Sequence, residues 1–403
     1  MKITRRILAA AMTLSLTACL VYPAFAATYD VETVADVQQA VTGHADNAEG
    51  DTQVILNMKN DIGNVSSITT QKGWTYTFKG NGNTLGGVAA DGQGTVKVNA
   101  DVQGGGVSAS GQTVVTVKGN VTSDSSGIVS SGSSRVTVTG NVTASNTGIE
   151  AADSSQVTVN GSLNADGDGV SGTGAAAVSV DKDIISGATG ANIGDTSKVT
   201  VGGNIQAGSS SYGSGAYMTG SSKLTVDGNI SGKTEGVSIS CSTDNTATAL
   251  VKGSITSDGS GVVLNTYDNG KANITVDGGI SSGNNGVNLV LKDQSAAVVT
   301  VNGDISARIQ GIHIETEDEA NAQVTANSDI SSDELGLGVL IQTNADSKVR
   351  YTQNGNITSQ TAGLLIFAEE NSSLTAQFNG DIQCKDINMI DAANNASCNV
   401  TVN

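Results

Sequence analysis

Three aspartates, Asp268, Asp293 and Asp318, fall at equal steps of 25 residues, and Glu315, Glu317 and Glu319 crowd the last of them. If the chain stacks with that period, the carboxylates stand one above another. They then repel unless they splay into water, take up protons or share a cation. Calcium, a hard ion with oxygen ligands, is the natural bridge outside a cell; solvated turn carboxylates pointing apart are the simpler reading of the same row. His313 stands nearby with Glu315 two residues on, Asn288 lies one period before it, and Lys292, Arg308 and Tyr267 belong to the same stretch. A calcium ion that acidifies a sugar C–H, beside a basic residue that removes the proton, is polysaccharide lyase chemistry. His313, Arg308 and Lys292 are its candidate base and supporting cations. Without catalysis, Asn288, His313, Glu315 and Tyr267 still form a polar face able to contact a glycan. Asn164–Gly169 begins like an EF-hand loop, but the closing acidic position is Ala175, so that motif fails.

These residues sit in a repeat. Its unit is Val-Thr-Val, then Gly-Asn, an aliphatic residue, a polar turn and Gly-Ile or Gly-Val, as in Gln156–Thr173. The second valine recurs at Val98, Val117, Val138, Val159, Val180, Val201, Val226, Val251, Val276 and Val301, and the count continues through Ala326, Tyr351, Ala376 and Val402. The steps lengthen from 21 to 25 residues after Val201. Short alternating strands at this period mean a solenoid of parallel strands, three to a coil. The second strand is marked by Val121, Val142, Leu163 and a run of isoleucines from Ile184 to Ile382; the third follows a glycine, as at Ile128, Ile149, Val170 and Ile312. Between the first two strands runs a column that includes Asn120, Asn141, Ser162, Asp183 and Asn204, suited to bonding from coil to coil. The preceding glycines, such as Gly119, Gly140 and Gly161, are expected to supply positive φ. The longer coils are expected to grow at the corner after the third strand, as at Asn265–Gly270 and Thr316–Asn321, and to project the acidic residues from one edge. An outward threonine column, including Thr137, Thr158, Thr275 and Thr300, reads as ordinary β-propensity on an exposed strand.

Ahead of the repeat, Val34, Val37, Ala40 and Val41 fall at helical spacing, which predicts a short helix over Val31–Thr42. A strand over Asp51–Met58 follows, and Trp74, Tyr76 and Phe78 share one parity, as an aromatic plug under the first coils would. A helical cap, aromatic-bearing early strands, asparagine ladders and coils of this length resemble the right-handed parallel β-helix superfamily, the pectate-lyase-like fold. The Gly/Asn/Thr-rich coils are also similar to β-solenoid adhesins. The resemblance spans about residues 28–403. It implies an all-β, right-handed, single-stranded parallel β-helix of about 14 coils of 21–25 residues with a short N-terminal helical cap. It implies a binding or structural protein, adhesin-like, meeting an extracellular glycan or a host or neighbouring surface. The alternative is a calcium-dependent lyase acting on acidic polysaccharide, though the aspartate and Gly-His-Gly series of polygalacturonases is absent. Three segments follow: 1–26, 27–94 with the cap and first coils, and 95–403 with the repeats.

Residues 1–26 read as a secretory signal: Lys2, Arg5 and Arg6, an apolar run, then Ala24-Phe25-Ala26. Leu16-Thr17-Ala18-Cys19 within it resembles a lipobox, which would instead anchor the chain through Cys19. Either route takes the protein out of the cytoplasm. Loss of the three basic residues moves the net charge from −18 to −21, a poor match for nucleic acid or an anionic membrane. Cys241, Cys384 and Cys398 remain, with Cys384 and Cys398 close enough in sequence to pair. Tyr212, Tyr217 and Tyr267 are the aromatic candidates for a sugar contact. The last strand, Val400–Asn403, sits at the end of the stack. Such an edge either docks on another molecule, as in end-to-end self-association, or is covered by Lys385–Asn395.

Overall fold

The computed structural model describes residues 26–47, 52–208, 213–333, 336–386 and 388–403. The leader apart from Ala26 lies outside the described residues, as do Cys19 and Tyr212.

β-Branched side chains are stiff at χ1 and pack well on a pleated surface. Each Val-Thr-Val unit accordingly forms a strand, and successive units stack. Gln156–Val159 lies parallel to Arg135–Val138 on one side and Ala177–Val180 on the other. This first ladder joins 17 strands, from Ala27–Val31 to Ser397–Val402. A second ladder stacks short strands such as Val142–Ala144 and Leu163–Ala165, and a third stacks Ile149–Ala151 and Val170–Gly172. The second and third ladders merge in one 27-stranded sheet, because Val102–Ala109 is long enough to pair with both Val121–Ser123 and Ile128–Ser130. The chain is thus an all-β parallel β-solenoid of about 14 turns, with one helix, near the N-terminus, among the described residues. At ~4.8 Å per coil the repeats span ~65 Å.

The core is the set of aliphatic columns foreseen from the repeat. Val136, Val138, Val142 and Ile149 are fully buried, and their equivalents continue upward through Ile274, Val276, Ile280 and Val287. The glycine before each third strand is fixed by that packing. A Cβ on Gly286 would lie 2.3 Å from Cγ2 of Ile305, one coil up, and 2.5 Å from the Gly311 carbonyl oxygen. The turn column also forms its ladder. Asn120 Oδ1 accepts the Asn141 N–H at 2.9 Å, and Asn141 Oδ1 accepts the Ser162 N–H at 2.9 Å.

Four expectations are corrected. The helix is Val34–Asn47, not Val31–Thr42, and Val31 ends a strand paired with Met58. A capping box sets its start: Thr33 Oγ1 accepts the Asp36 N–H, while the Asp36 carboxylate accepts the N–H groups of Glu32 and Thr33. Those bonds hold the Asp36 pKa below its ordinary value, the Glu32 N–H contributing most. Second, Gly119, Gly140 and Gly161 do not adopt positive φ. They are glycines because a Cβ would collide with the coil below; at Gly140 it would meet Asn120 Oδ1 and the Gly119 oxygen, both at 2.5 Å.

Third, the corner after the third strand does not grow. Four residues, Ser131–Ser134, bridge the strands in a short coil, and four, Tyr267–Gly270, do so in a long one. The additional residues extend strands instead: the third from three residues in Val170–Gly172 to seven in Ser260–Thr266, the first from four in Gln156–Val159 to six in Lys271–Val276. Fourth, the first-strand column above Ala326 runs through Gln353, Phe378 and Val402, not Tyr351 and Ala376. One coil holds two more residues, inserted between Ile330 and Gly338, so that Ile312 pairs with Val339 and Ile330 with Ile357. Likewise the threonine column passes from Thr325 to Thr352 and Gln377, bypassing Arg350 and Thr375.

At the N-terminal end Tyr76 and Phe78 are fully buried and Trp74 is partly so, its ring 5.2 Å from that of His44 on the helix. At the other end Lys385–Asn395 is no cap. Met389–Ala392 within it completes the third strand of the last coil against Leu365–Ala368. Inward-parity Ile390 and Val402 there are 50% and 59% exposed. Cys241, Cys384 and Cys398 are free thiols.

Candidate binding face

In the long coils the third strand buries one parity and turns the other outward. Val262, Val287, Ile312, Val339 and Leu364 face the core. Two outward columns result from the register. One runs Asn288, His313, Leu340, Leu365, with the buried Val263 at its foot; the other runs Asn265, Val290, Glu315, Gln342, Phe367. His313 is half-buried between its neighbours: Nδ1 lies 2.7 Å from Asn288 Oδ1, and Nε2 3.4 Å from Gln342 Oε1. The imidazole is therefore held upright by the amides above and below it.

Where these strands end, Tyr267, Lys292 and Glu317 stand in register one coil apart. The Lys292 ammonium donates to Glu317 Oε2 at 2.9 Å. That hydrogen bond first, and the Glu317 charge second, raise the Lys292 pKa, so the side chain stays a cation and is a poor proton acceptor. Tyr267 is exposed beneath it. A hollow of about 290 Å³ opens beside Glu317 and is lined by Glu315, Gln342, Phe367 and Glu369.

The next residues make the turn. Asp268, Asp293 and Asp318 stack as expected, each opening a pair of consecutive left-handed residues: Asp268 and Asn269 at φ 50° and 62°, Asp293 and Gln294 at 53° and 60°, Asp318 and Glu319 at 55° and 61°. Their backbones bond from coil to coil, the Asn269 N–H to the Asp293 oxygen and the Gln294 N–H to the Asp318 oxygen. Asp, Asn, Glu and Gln thus occupy a conformation that L residues seldom adopt, and Asn and Asp tolerate it best. The row borders a hollow of about 370 Å³. Among the described residues no group of three or more His, Cys, Asp or Glu side chains is arranged to hold a metal ion.

The structure therefore gathers Asn288, His313 and Glu315 on one face, puts Lys292 and Tyr267 at its margin, and stacks the three aspartates beyond. It separates Arg308. That residue follows the second strand Ile305–Ala307 in the bend that leads to the third strand Gln310–Thr316, while His313 lies in the middle of that strand. The two thus stand on different parts of the coil, Arg308 at the corner and His313 on the strand face. Gln342, Leu340, Leu365 and Phe367 escaped sequence reasoning because counting 25 from His313 reaches Gly338. The 27-residue step from Ile330 to Ile357 carried the missing signal. Comparison of the chain with protein-family models, with curated proteins and with solved structures returned no match.

Proposed function

We propose that the chain is a secreted or surface-displayed scaffold, adhesin-like, whose third-ladder face contacts a glycan. One observation carries the reading: the face intersperses half-exposed apolar side chains, Val290, Leu340, Leu365 and Phe367, with Asn288, His313, Glu315 and Gln342. Sugars offer apolar ring faces edged by hydroxyls, and sites for them combine an apolar floor with a few placed polar groups. Strands hold these groups at fixed spacing, so little ordering cost falls on binding.

A panel of immobilised glycans tests it. The full chain is expected to retain a subset of them, and Phe367→Ala and His313→Ala are each expected to weaken retention about tenfold with unchanged melting temperature. Retention no better than on a blank surface, or variants that bind as the parent does, would overturn the reading.

A further inference from the structure

The residue that follows each second strand forms a column on the corner leading to the third ladder. From the pairings it runs Lys233, Asp258, Gly283, Arg308, Asp333, Gln360, Lys385. Lys233 and Asp258, one coil apart, close on each other as an ion pair. Arg308 and Asp333 stand in the same relation and do not pair. Among the described residues neither Arg308 nor Lys385 is in an ion pair with a carboxylate. Between them lies a hollow of about 670 Å³ lined by Arg308, Asp333, Gln360 and Lys385. The departure coincides with the one long step in this part of the chain, the two residues inserted between Ile330 and Gly338. Ile309, beside Arg308, is 43% exposed.

We propose that this corner binds an acidic oligosaccharide, with Arg308 and Lys385 each taking an anionic group and Gln360 and Asp333 taking hydroxyls between them. A guanidinium fork suits a planar carboxylate or a sulfate, and an ammonium suits either as a point charge. The two cations are three coils apart, ~14 Å, which exceeds one sugar ring and is within reach of two or three linked rings. Asp333 sets the class. A carboxylate between two cations repels a densely charged polyanion but accepts hydrogen bonds from hydroxyls that separate well-spaced charges. In a chain of net charge −18, two cations around one hollow, neither in an ion pair among the described residues, are also where a sparse anion is drawn. The inference rests on the glycan-contacting reading and adds a second contact surface to it.

The test is titration of the full chain with a hyaluronan oligosaccharide, which carries one carboxylate on every second ring, a sulfated chondroitin oligosaccharide and a neutral malto-oligosaccharide. At least one acidic probe is expected to bind, more weakly as salt rises, and the neutral one at least tenfold less well. Arg308→Gln and Lys385→Gln should each weaken the acidic probe about tenfold, whereas Arg135→Gln, on a distant first strand, should leave it unchanged. Which acidic probe binds separates carboxylate from sulfate recognition. Equal binding of all three probes, or an acidic probe that binds Arg308→Gln and Lys385→Gln as it binds the parent, overturns the corner site. If glycans still bind and Phe367→Ala abolishes that binding, the broader reading survives the loss; if no glycan binds at all, both fall.

Discussion

Gln353 stands in a column that lower coils fill with valine or alanine, and it is fully buried. Its burial is tolerated because every polar atom finds a partner: Oε1 accepts from the Tyr351 hydroxyl at 2.7 Å, and Nε2 donates to the Ser328 and Gly355 oxygens at 2.7 and 3.1 Å. The buried serine Ser257 has no such partner. Ser257→Ala is therefore expected to raise stability by about 1 kcal/mol, read as a higher denaturant midpoint at unchanged slope. Burial also raises the pKa of the Cys241 thiol above 9.0 and that of the Tyr351 phenol above 10.0. Both groups hold protons more tightly folded than unfolded. Their contribution is thus fully present below those ordinary values and is lost as pH climbs past them, so melting temperature should decline in strong alkali. Cys241 should resist thiol reagents that label the less buried Cys384 in the native protein.

At the scale of elements, the interlock between a glycine and the isoleucine one coil above it sets how closely the second and third ladders approach. Gly286→Ala would force Cβ against Ile305 Cγ2 and a backbone oxygen, neither able to retreat from a column packed on both sides. A loss of about 1–3 kcal/mol is expected in equilibrium unfolding, and the paired change Gly286→Ala with Ile305→Ala should recover part of the clash while adding a cavity. This element was legible: a glycine before the third strand and an isoleucine in the second are both visible in the repeat. What that glycine meets was not, because the contact lies a full coil away. The turn glycines Gly140 and Gly161 show the same limit. Their column was evident, but the reason for it is a neighbouring backbone rather than positive φ.

At the scale of the molecule, each coil touches mainly the coils above and below, so stability adds along the axis. Removing residues 261–285, one whole coil joining Ser260 to Gly286, should leave a folded solenoid one turn shorter, with a β-type circular dichroism spectrum and a slightly smaller hydrodynamic radius. Removing only 261–273 should not, because it brings unlike columns into register; an aggregated or unfolded product is the expected outcome. A normal solenoid from the second deletion would show that column identity matters less than the packing implies.

The sequence by itself determined the period, the three strands, the inward columns and the asparagine ladder, since each is a local pattern repeated many times and stacking leaves like above like. It also brought Asn288, His313 and Glu315 to one face, because they lie within coils of equal length. The rest was decided in three dimensions. A two-residue insertion preserves strand parity, so the alternation of buried and exposed residues reads on undisturbed while every later neighbour moves by two. The 27-residue step from Ile330 to Ile357 marks it in the sequence, and the pairing of Ile312 with Val339 shows which neighbours it moves. That shift placed Leu340, Gln342 and Phe367 beside the His313 face and coincides with the hollow between Arg308 and Lys385. It thus altered which side chains are neighbours without altering what any single strand looks like.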